Sequence, residues 1–177
     1  MLLTGTYCVM FIGRSVHAQG GSLASPGQRR VDEFDPVAIA ELGGAVGREI
    51  HGGPATVAPN LAAEVTPIDD VLELEAGLSP VFRHHSTEWD ADFLFKKPWT
   101  LSKTAEFMLG VGPEWEVVRQ SGSTGTTVSG EIAADFMFWP GGGHHVGWFL
   151  EPAYDNAFAR GHAQTLGMSW GLLIGIP

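Results

Sequence analysis

The sequence predicts an all-β fold: an eight-stranded antiparallel up-and-down transmembrane β-barrel. Three observations predict it. Apolar side chains alternate with polar or small ones from residue 37 onward, and turn residues interrupt this alternation about every 15 to 20 residues. No apolar run reaches the roughly 18 residues that a membrane-spanning helix requires. The length of 177 residues allows one domain.

The N-terminal region is predicted to be removed or flexible. Residues 2–13 are mostly apolar, and Val16-His17-Ala18 resembles a small-residue cleavage site, so residues 1–18 are expected to be a signal peptide. The absence of Lys or Arg before the apolar stretch leaves a buried first strand as the alternative. Residues 19–36 are polar and mixed, which predicts a flexible leader, and 37–177 form the predicted β-barrel domain. Cys8, the only cysteine, lies in the predicted signal.

The first four segments divide into an apolar and a polar face, because successive strand side chains point to opposite sides of a sheet. The first, from Ala38 to Glu49, is the least regular, and Gly43-Gly44 predicts a β-bulge there. The fourth is predicted to be short. The apolar faces of segments two to four are Val57, Leu61, Ala63 and Val65; Leu72, Leu74, Ala76, Leu78 and Phe82; and Trp89, Ala91, Phe93 and Phe95. The opposite faces carry Asn60, Ala62 and Glu64; Glu73, Glu75, Gly77 and Ser79; and Asp90, Asp92 and Lys96.

The last four segments repeat the division. Their apolar faces are Phe107, Leu109, Val111 and Trp115; Val128, Ile132, Ala134, Phe136 and Phe138; Val146, Trp148, Leu150 and Tyr154; and Leu166, Met168, Trp170, Leu172, Ile174 and Ile176. Their other faces are acidic or small, and the eighth offers mainly glycine and serine. Turns are predicted at 51–54, 67–70, 83–87, 97–103, 121–125, 140–145 and 159–162, where Gly, Pro, Asn, Asp and Ser collect.

Three observations favour an apolar face that points outward to lipid. Glycine on the polar face suits the narrow interior of an eight-stranded barrel. Aromatic residues fall near strand ends, as in the girdles of membrane barrels: Phe82, Trp89, Trp115, Phe138 and Trp148. Arginines gather at one rim, where they are expected to contact the phosphates of lipopolysaccharide: Arg48, Arg83, Arg119 and Arg160.

The acidic character of the polar face is the main objection to this assignment. Unpaired buried charge is costly, and only Arg83 and Lys96 accompany about fourteen carboxylates that face inward. These are Glu41, Glu49, Glu64, Glu73, Glu75, Asp90, Asp92, Glu106, Glu114, Glu116, Glu131, Asp135, Glu151 and Asp155. Such a barrel must hold water, bind cations or keep carboxyl groups protonated. Carboxylate pairs at two-residue spacing are candidate ligands for Ca²⁺ or another hard cation: Glu73 with Glu75, Asp90 with Asp92, and Glu114 with Glu116. In a soluble lipocalin-like barrel, the same acids would form the wet surface.

The net charge of −10 disfavours a nucleic-acid partner, because phosphate binding needs clustered Lys and Arg. The sequence contains no P-loop, dinucleotide fingerprint or zinc motif, and no cofactor is predicted.

His84-His85-Ser86 has a His-x-Ser spacing that is similar to that of the outer-membrane lipid A deacylases. That resemblance implies a catalytic set of His84, Ser86 and Glu88 facing lipid, although Thr87 stands where the deacylase pattern has Asn.

Four stretches carry a wider resemblance: Trp89 to Pro98, Glu106 to Trp115, Asp135 to Pro140 and Trp148 to Pro152. With the strand pattern, they resemble an uncharacterised family of small outer-membrane β-barrels in the porin-like superfamily. The resemblance implies the fold and an outer-membrane location but no activity. The chain departs from the usual pattern by ending in Ile176-Pro177 instead of an aromatic residue.

Three functions follow as hypotheses. The first is a non-enzymatic outer-membrane barrel, favoured as a monomer, with a structural or envelope role and a narrow, cation-preferring lumen whose partners are membrane lipid and lipopolysaccharide. The second is a lipid A deacylase-like enzyme at His84 and Ser86. The third is a soluble, periplasmic lipocalin-like carrier of an apolar ligand.

Overall fold

The computed structural model describes residues 36–83, 86–141, 143–159 and 162–177. The predicted signal peptide (1–18), residues 19–35 of the predicted leader, His84 and Arg160 lie outside these residues. Within the described part of the chain, no helix is long and apolar enough to cross a membrane.

Eight antiparallel strands close into a barrel in which each strand pairs with its sequence neighbours and β1 pairs with β8. This confirms the predicted fold class. The strands are β1 (Ala38–Glu49), β2 (Thr56–Ile68), β3 (Leu72–Arg83), β4 (Ser86–Ser102), β5 (Ala105–Gln120), β6 (Ser123–Phe138), β7 (Val146–Ala157) and β8 (Gln164–Ile176). We call the end at which β1 begins and β8 ends the terminal end, and the opposite end the mouth.

The strand register determines how the barrel is coiled. Following paired residues from Ala38 on β1 round all eight strands returns to β1 at Arg48, ten residues further along. With standard strand spacings, this stagger tilts the strands by about 40° from the barrel axis. Inward-facing residues that are distant in sequence therefore meet across the lumen.

Two expectations about the strands were wrong. No register shift occurs at Gly43-Gly44, where β1 pairs continuously with β2 and β8. Instead, Gly43 lies directly opposite Gly171, and a Cβ on Gly43 would come within 1.9 Å of the Trp170 carbonyl oxygen. The glycine therefore permits a close approach of two backbones at the seam that closes the barrel.

The fourth strand is also longer than predicted, at 17 residues, and it absorbs most of the turn predicted at 97–103. Pro98 lies inside β4, two residues past Lys96, which is the last residue of β4 that pairs with β3. There β4 has a hydrogen-bonding neighbour on one side only, and proline is tolerated in strands where a ladder partner is missing.

The barrel is apolar outside and acidic inside. Among the described residues, 28 large apolar side chains are exposed, whereas 11 apolar residues are buried and most of the buried polar groups are charged. The outward and inward assignments made for each segment are confirmed by this pattern. A lipocalin-like carrier requires the opposite arrangement, with its apolar face around the ligand, and the structure contradicts that hypothesis.

Aromatic side chains form two outward-facing groups. Near the terminal end, Trp99 stacks on Phe107 at 5.5 Å, and Phe107 lies 5.0 Å from Phe136. Phe138 stacks on Trp148 at 4.1 Å in the same region. Near the mouth, the exposed aromatic residues are Phe82, Trp89, Trp115 and Phe158. The predicted girdle residues therefore lie on the outer surface near the two ends of the apolar belt.

The terminal end of the lumen is filled by a plug of apolar side chains. Ile39, Met108, Met137, Trp139, Phe149 and Leu173 form one buried cluster. Trp139 directly follows β6, continues the inward alternation of Asp135 and Met137, and has no exposed surface. The sequence analysis assigned it no role, because the sixth alternating segment was ended at Phe138.

Candidate functional site

A cavity of about 590 Å³, which we call the vestibule, occupies the mouth half of the barrel. Residues of the mouth loops, including Gly53, Pro54 and Ala159, contribute to its rim. Its acidic lining residues are Glu49, Glu75, Glu88, Asp90, Asp92, Glu114, Glu116, Glu131, Glu151 and Asp155. Arg48 and Arg83 are the basic residues among its described lining.

The vestibule wall places carboxylates directly opposite one another on neighbouring strands. Asp90 pairs with Glu116 and Asp92 with Glu114 between β4 and β5. Like charges at such positions repel unless something compensates them. Ser129 Oγ donates a 2.8 Å hydrogen bond to Glu114, whereas Asp92 Oδ1 has no hydrogen-bond partner among the described residues. The wall therefore presents a concentrated negative field, which draws cations into a cleft.

Arg83 is held at the rim of the vestibule. Its guanidinium lies 3.1 Å from a Glu88 carboxylate oxygen and donates a 3.3 Å hydrogen bond to Thr56 Oγ1. The side chain is 46% exposed, so the ion pair is partly screened by water. Arg83 offsets only part of the charge at the mouth.

Lys96 occupies the floor of the vestibule. Its ammonium donates hydrogen bonds to Glu75, to Asp135 at 3.1 Å and to Glu151 at 2.6 Å, and its side chain has no exposed surface. Gly110 on the neighbouring strand makes room for it, because a Cβ there would lie 2.9 Å from Lys96 Cγ. One ammonium is thus shared among three carboxylates.

Two more acids extend this group, which we call the floor cluster: Glu41, Glu64, Glu75, Asp135, Glu151 and Lys96. One carboxylate oxygen from each of Glu41, Glu64, Glu75 and Asp135 lies within 4.8 Å of the others. These four residues are between 0% and 3% exposed. Both oxygens of Glu64, Glu41 Oε1 and Asp135 Oδ1 have no hydrogen-bond partner among the described residues.

The six predicted metal-ligand candidates do not form one site. Glu75 belongs to the floor cluster, while Glu73 is buried on the same face of β3. Asp90, Asp92, Glu114 and Glu116 line the vestibule wall. Sequence reasoning placed Glu41, Glu64 and Asp135 inside the barrel but did not bring them together, because their proximity depends on the stagger of the strands.

Ser86 does not face lipid as predicted. It begins β4 and pairs with Arg83, and it shares its side of the strand with Glu88 and Asp90, which line the vestibule. Glu88 is engaged by Arg83. The expectation of a lipid-facing serine was wrong because the chain turns between β3 and β4, so that residues 82 and 86 do not share a face. The catalytic role assigned to His84, Ser86 and Glu88 stays a prediction.

The described arginines of the predicted rim lie at the mouth. Arg48 and Arg119 are each the penultimate residue of a strand, and Arg83 is the last residue of β3. Arg119 shares the outward face with Trp115 and is exposed. The predicted lipopolysaccharide contact is not tested by these positions.

No family model matches this sequence, and no curated protein matches it. Solved structures match its fold, and they are small eight-stranded outer-membrane barrels. Neisserial surface protein A has a TM-score of 0.60 at 10% identity over 78% of this chain and 96% of that one. Ail, the attachment invasion locus protein of Yersinia pestis, has a TM-score of 0.51 at 12% identity over 80% and 99%. The N-terminal β-barrel domain of Pseudomonas aeruginosa OprF has a TM-score of 0.50 at 12% identity over 78% and 98%.

Proposed function

We propose that this protein is a monomeric outer-membrane barrel with a structural envelope role, whose blind acidic vestibule concentrates cations at the cell surface. The exposed apolar belt carries the proposal. Monomeric soluble proteins rarely expose contiguous apolar patches larger than a few hundred Å². Here the apolar side chains encircle the barrel, and lipid is the solvent that such a surface requires.

The height of the belt fits a bilayer. Trp89 and Trp99 mark its two limits on β4 and lie ten residues apart, which is about 34 Å along a strand. At a strand tilt of about 40°, this distance is about 26 Å along the barrel axis. The apolar band of outer-membrane barrels is about 25 Å tall.

The filling of the lumen supports a cavity that is open at the mouth only, and not a pore through the barrel. The apolar plug and the fully buried Lys96 fill the terminal half of the described barrel. Both termini of an even-stranded barrel lie on one side, and in this proposal that side is the periplasmic one. With the terminal end in the periplasm, the vestibule opens outward and Arg119 stands level with lipopolysaccharide phosphates.

The experiment that tests this proposal is fractionation of cells expressing the full chain, followed by electrophoresis of unheated and boiled samples. We expect the protein in the outer membrane, with a mobility shift on boiling, because a closed barrel resists detergent until it is heated. A soluble periplasmic band without a shift would overturn the proposal. Planar bilayers containing the purified barrel provide a second check, since large anion-selective conductance steps contradict a blind acidic lumen.

A further inference from the structure

We propose that Glu41, Glu64, Glu75 and Asp135 form a binding site for one hard divalent cation of the size of Ca²⁺, at the floor of the vestibule. These residues come from β1, β2, β3 and β6, so the site exists only in the closed barrel. The inference deepens the proposed function and rests on it in one respect, because the ion enters through the vestibule.

The arrangement of the carboxylate oxygens carries the proposal. Ca²⁺ binds oxygen ligands at 2.3–2.6 Å, so two ligands on opposite sides of the ion are about 4.8 Å apart. The four carboxylates place one oxygen each within that distance of all the others. A single ion can therefore be reached by all four side chains.

The hydrogen bonding of Glu64 provides an independent observation. Its side chain is completely buried, and neither of its oxygens accepts a hydrogen bond from an amide, hydroxyl or ammonium group of the described residues; its side-chain neighbour is the carboxyl group of Glu73. A buried carboxylate whose neighbour is another carboxyl group is costly in free energy, and metal coordination is one of the ways in which proteins compensate such a group. Glu41 Oε1 and Asp135 Oδ1 likewise accept no hydrogen bond from the described residues.

Charge balance points to a cation in addition to Lys96. The ammonium of Lys96 binds Glu75, Asp135 and Glu151, and it makes no hydrogen bond to Glu41 or Glu64. With all five carboxylates of the floor cluster ionised and Lys96 protonated, the cluster carries a formal charge of −4, and a divalent ion beside Glu41 and Glu64 halves it. Lys96 then acts as a fixed second cation that shares Glu75 and Asp135 with the ion.

The burial of the site favours Ca²⁺ over Mg²⁺. Mg²⁺ requires a nearly ideal octahedron and usually keeps several water ligands, whereas Ca²⁺ accepts bidentate carboxylates in irregular geometry. The four residues are at most 3% exposed, which leaves little room for retained water. Glu75 and Glu151 belong both to the floor cluster and to the vestibule lining, so the ion has an entry path.

Calcium titration of the folded full chain tests the site. The protein is folded in detergent micelles, treated with EDTA, dialysed and titrated with CaCl₂ in a calorimeter. We expect saturable uptake of one Ca²⁺ per barrel and weaker binding of Mg²⁺. Glu64→Gln and Glu41→Gln should each lower the affinity for Ca²⁺ at least tenfold, because each removes a charged ligand and preserves its volume. Only variants that retain the boiling-dependent mobility shift are titrated.

Two further variants separate this site from general attraction to acids. Asp69→Asn, in the exposed turn between β2 and β3, is the control and should bind Ca²⁺ like the unsubstituted protein. Glu116→Gln removes charge from the vestibule wall and should have a much smaller effect than Glu64→Gln.

Three outcomes overturn the site: no stoichiometric uptake by the unsubstituted barrel, equal losses in Glu116→Gln and Glu64→Gln, or tighter binding of Mg²⁺ than of Ca²⁺. A soluble location in the fractionation experiment overturns the proposed function instead. The titration uses purified barrel, so the two failures are distinguishable.

Discussion

At the scale of single residues, Lys96 supplies the positive charge that compensates the buried carboxylates of the lumen. It is the buried cation among the described residues of the lumen, and its ammonium contacts three carboxylates. Lys97, the next residue, points outward, where it donates to the Asp70 carbonyl oxygen and lies 5.6 Å from the Trp99 ring centre. Two adjacent lysines thus have opposite surroundings because strand side chains alternate.

Lys96→Met is expected to lower the free energy of unfolding by about 3–5 kcal/mol, because removing one partner of a buried ion pair leaves uncompensated charge. Lys97→Met is the matched control and should cost about 1 kcal/mol or less, since it loses only exposed contacts. Urea unfolding in lipid vesicles, followed by tryptophan fluorescence, measures both. Equal losses would show that the floor cluster does not depend on Lys96.

At the scale of elements, the pairing of β1 with β8, which we call the seam, closes the sheet into a barrel. Gly43 and Gly171 face each other across this seam without side chains. Gly47, on the same face of β1, is in ordinary surroundings, since a Cβ there would lie 3.6 Å from Thr165 Cγ2. The seam therefore has no room for a side chain at Gly43 but does have room for one at Gly47.

Gly43→Ala is expected to reduce strongly the fraction of protein that folds in detergent, because its Cβ meets backbone that cannot move aside. Gly47→Ala should fold like the unsubstituted protein. The proportion of the band that shifts on boiling gives the folded fraction. Normal folding of Gly43→Ala would mean that the two strands separate at little cost.

At the scale of the whole molecule, the distribution of exposed apolar side chains indicates which part of the outer surface is expected to contact lipid. Val111 lies midway along β5 between Phe107 and Trp115 and is 57% exposed, so it is expected at the centre of the lipid belt. Val57 is 71% exposed, but it is the second residue of β2, near the mouth. The two valines differ mainly in their depth in the proposed bilayer.

Val111→Arg is expected to cost about 2–4 kcal/mol of unfolding free energy in lipid vesicles, as for arginine at the midplane of a membrane barrel, whereas Val57→Arg should cost about 0–1 kcal/mol. Guanidinium titration in vesicles measures the difference. Similar small costs at both positions would contradict a belt in contact with lipid, because an arginine on a water-exposed strand face carries no such penalty.

Much of the strand architecture could be predicted from local pattern. Alternation identified eight segments and the face of each one, so Trp115 was expected outside and Glu116 inside, as the structure has them. Strand ends were less predictable. Most of the turn expected at 97–103 became part of β4, because Pro98 is tolerated where β4 pairs with a neighbouring strand on one side only.

The candidate site was predictable in composition but not in geometry. Glu41, Glu64 and Asp135 were each expected to face inward, yet nothing near Glu64 in the sequence relates it to Asp135. Their contact depends on a register that moves ten residues along β1 in one circuit of the barrel. Trp139 was missed for a different reason, because the predicted sixth segment ended at Phe138, one residue before it.

The alternating pattern was enough to predict eight strands with one acidic face, because period-two patterning is a property of each strand alone. It could not predict which acids share Lys96, which glycines lie at the seam or where the lumen ends. Those features depend on strand stagger and backbone approach, and both are set by all eight strands together.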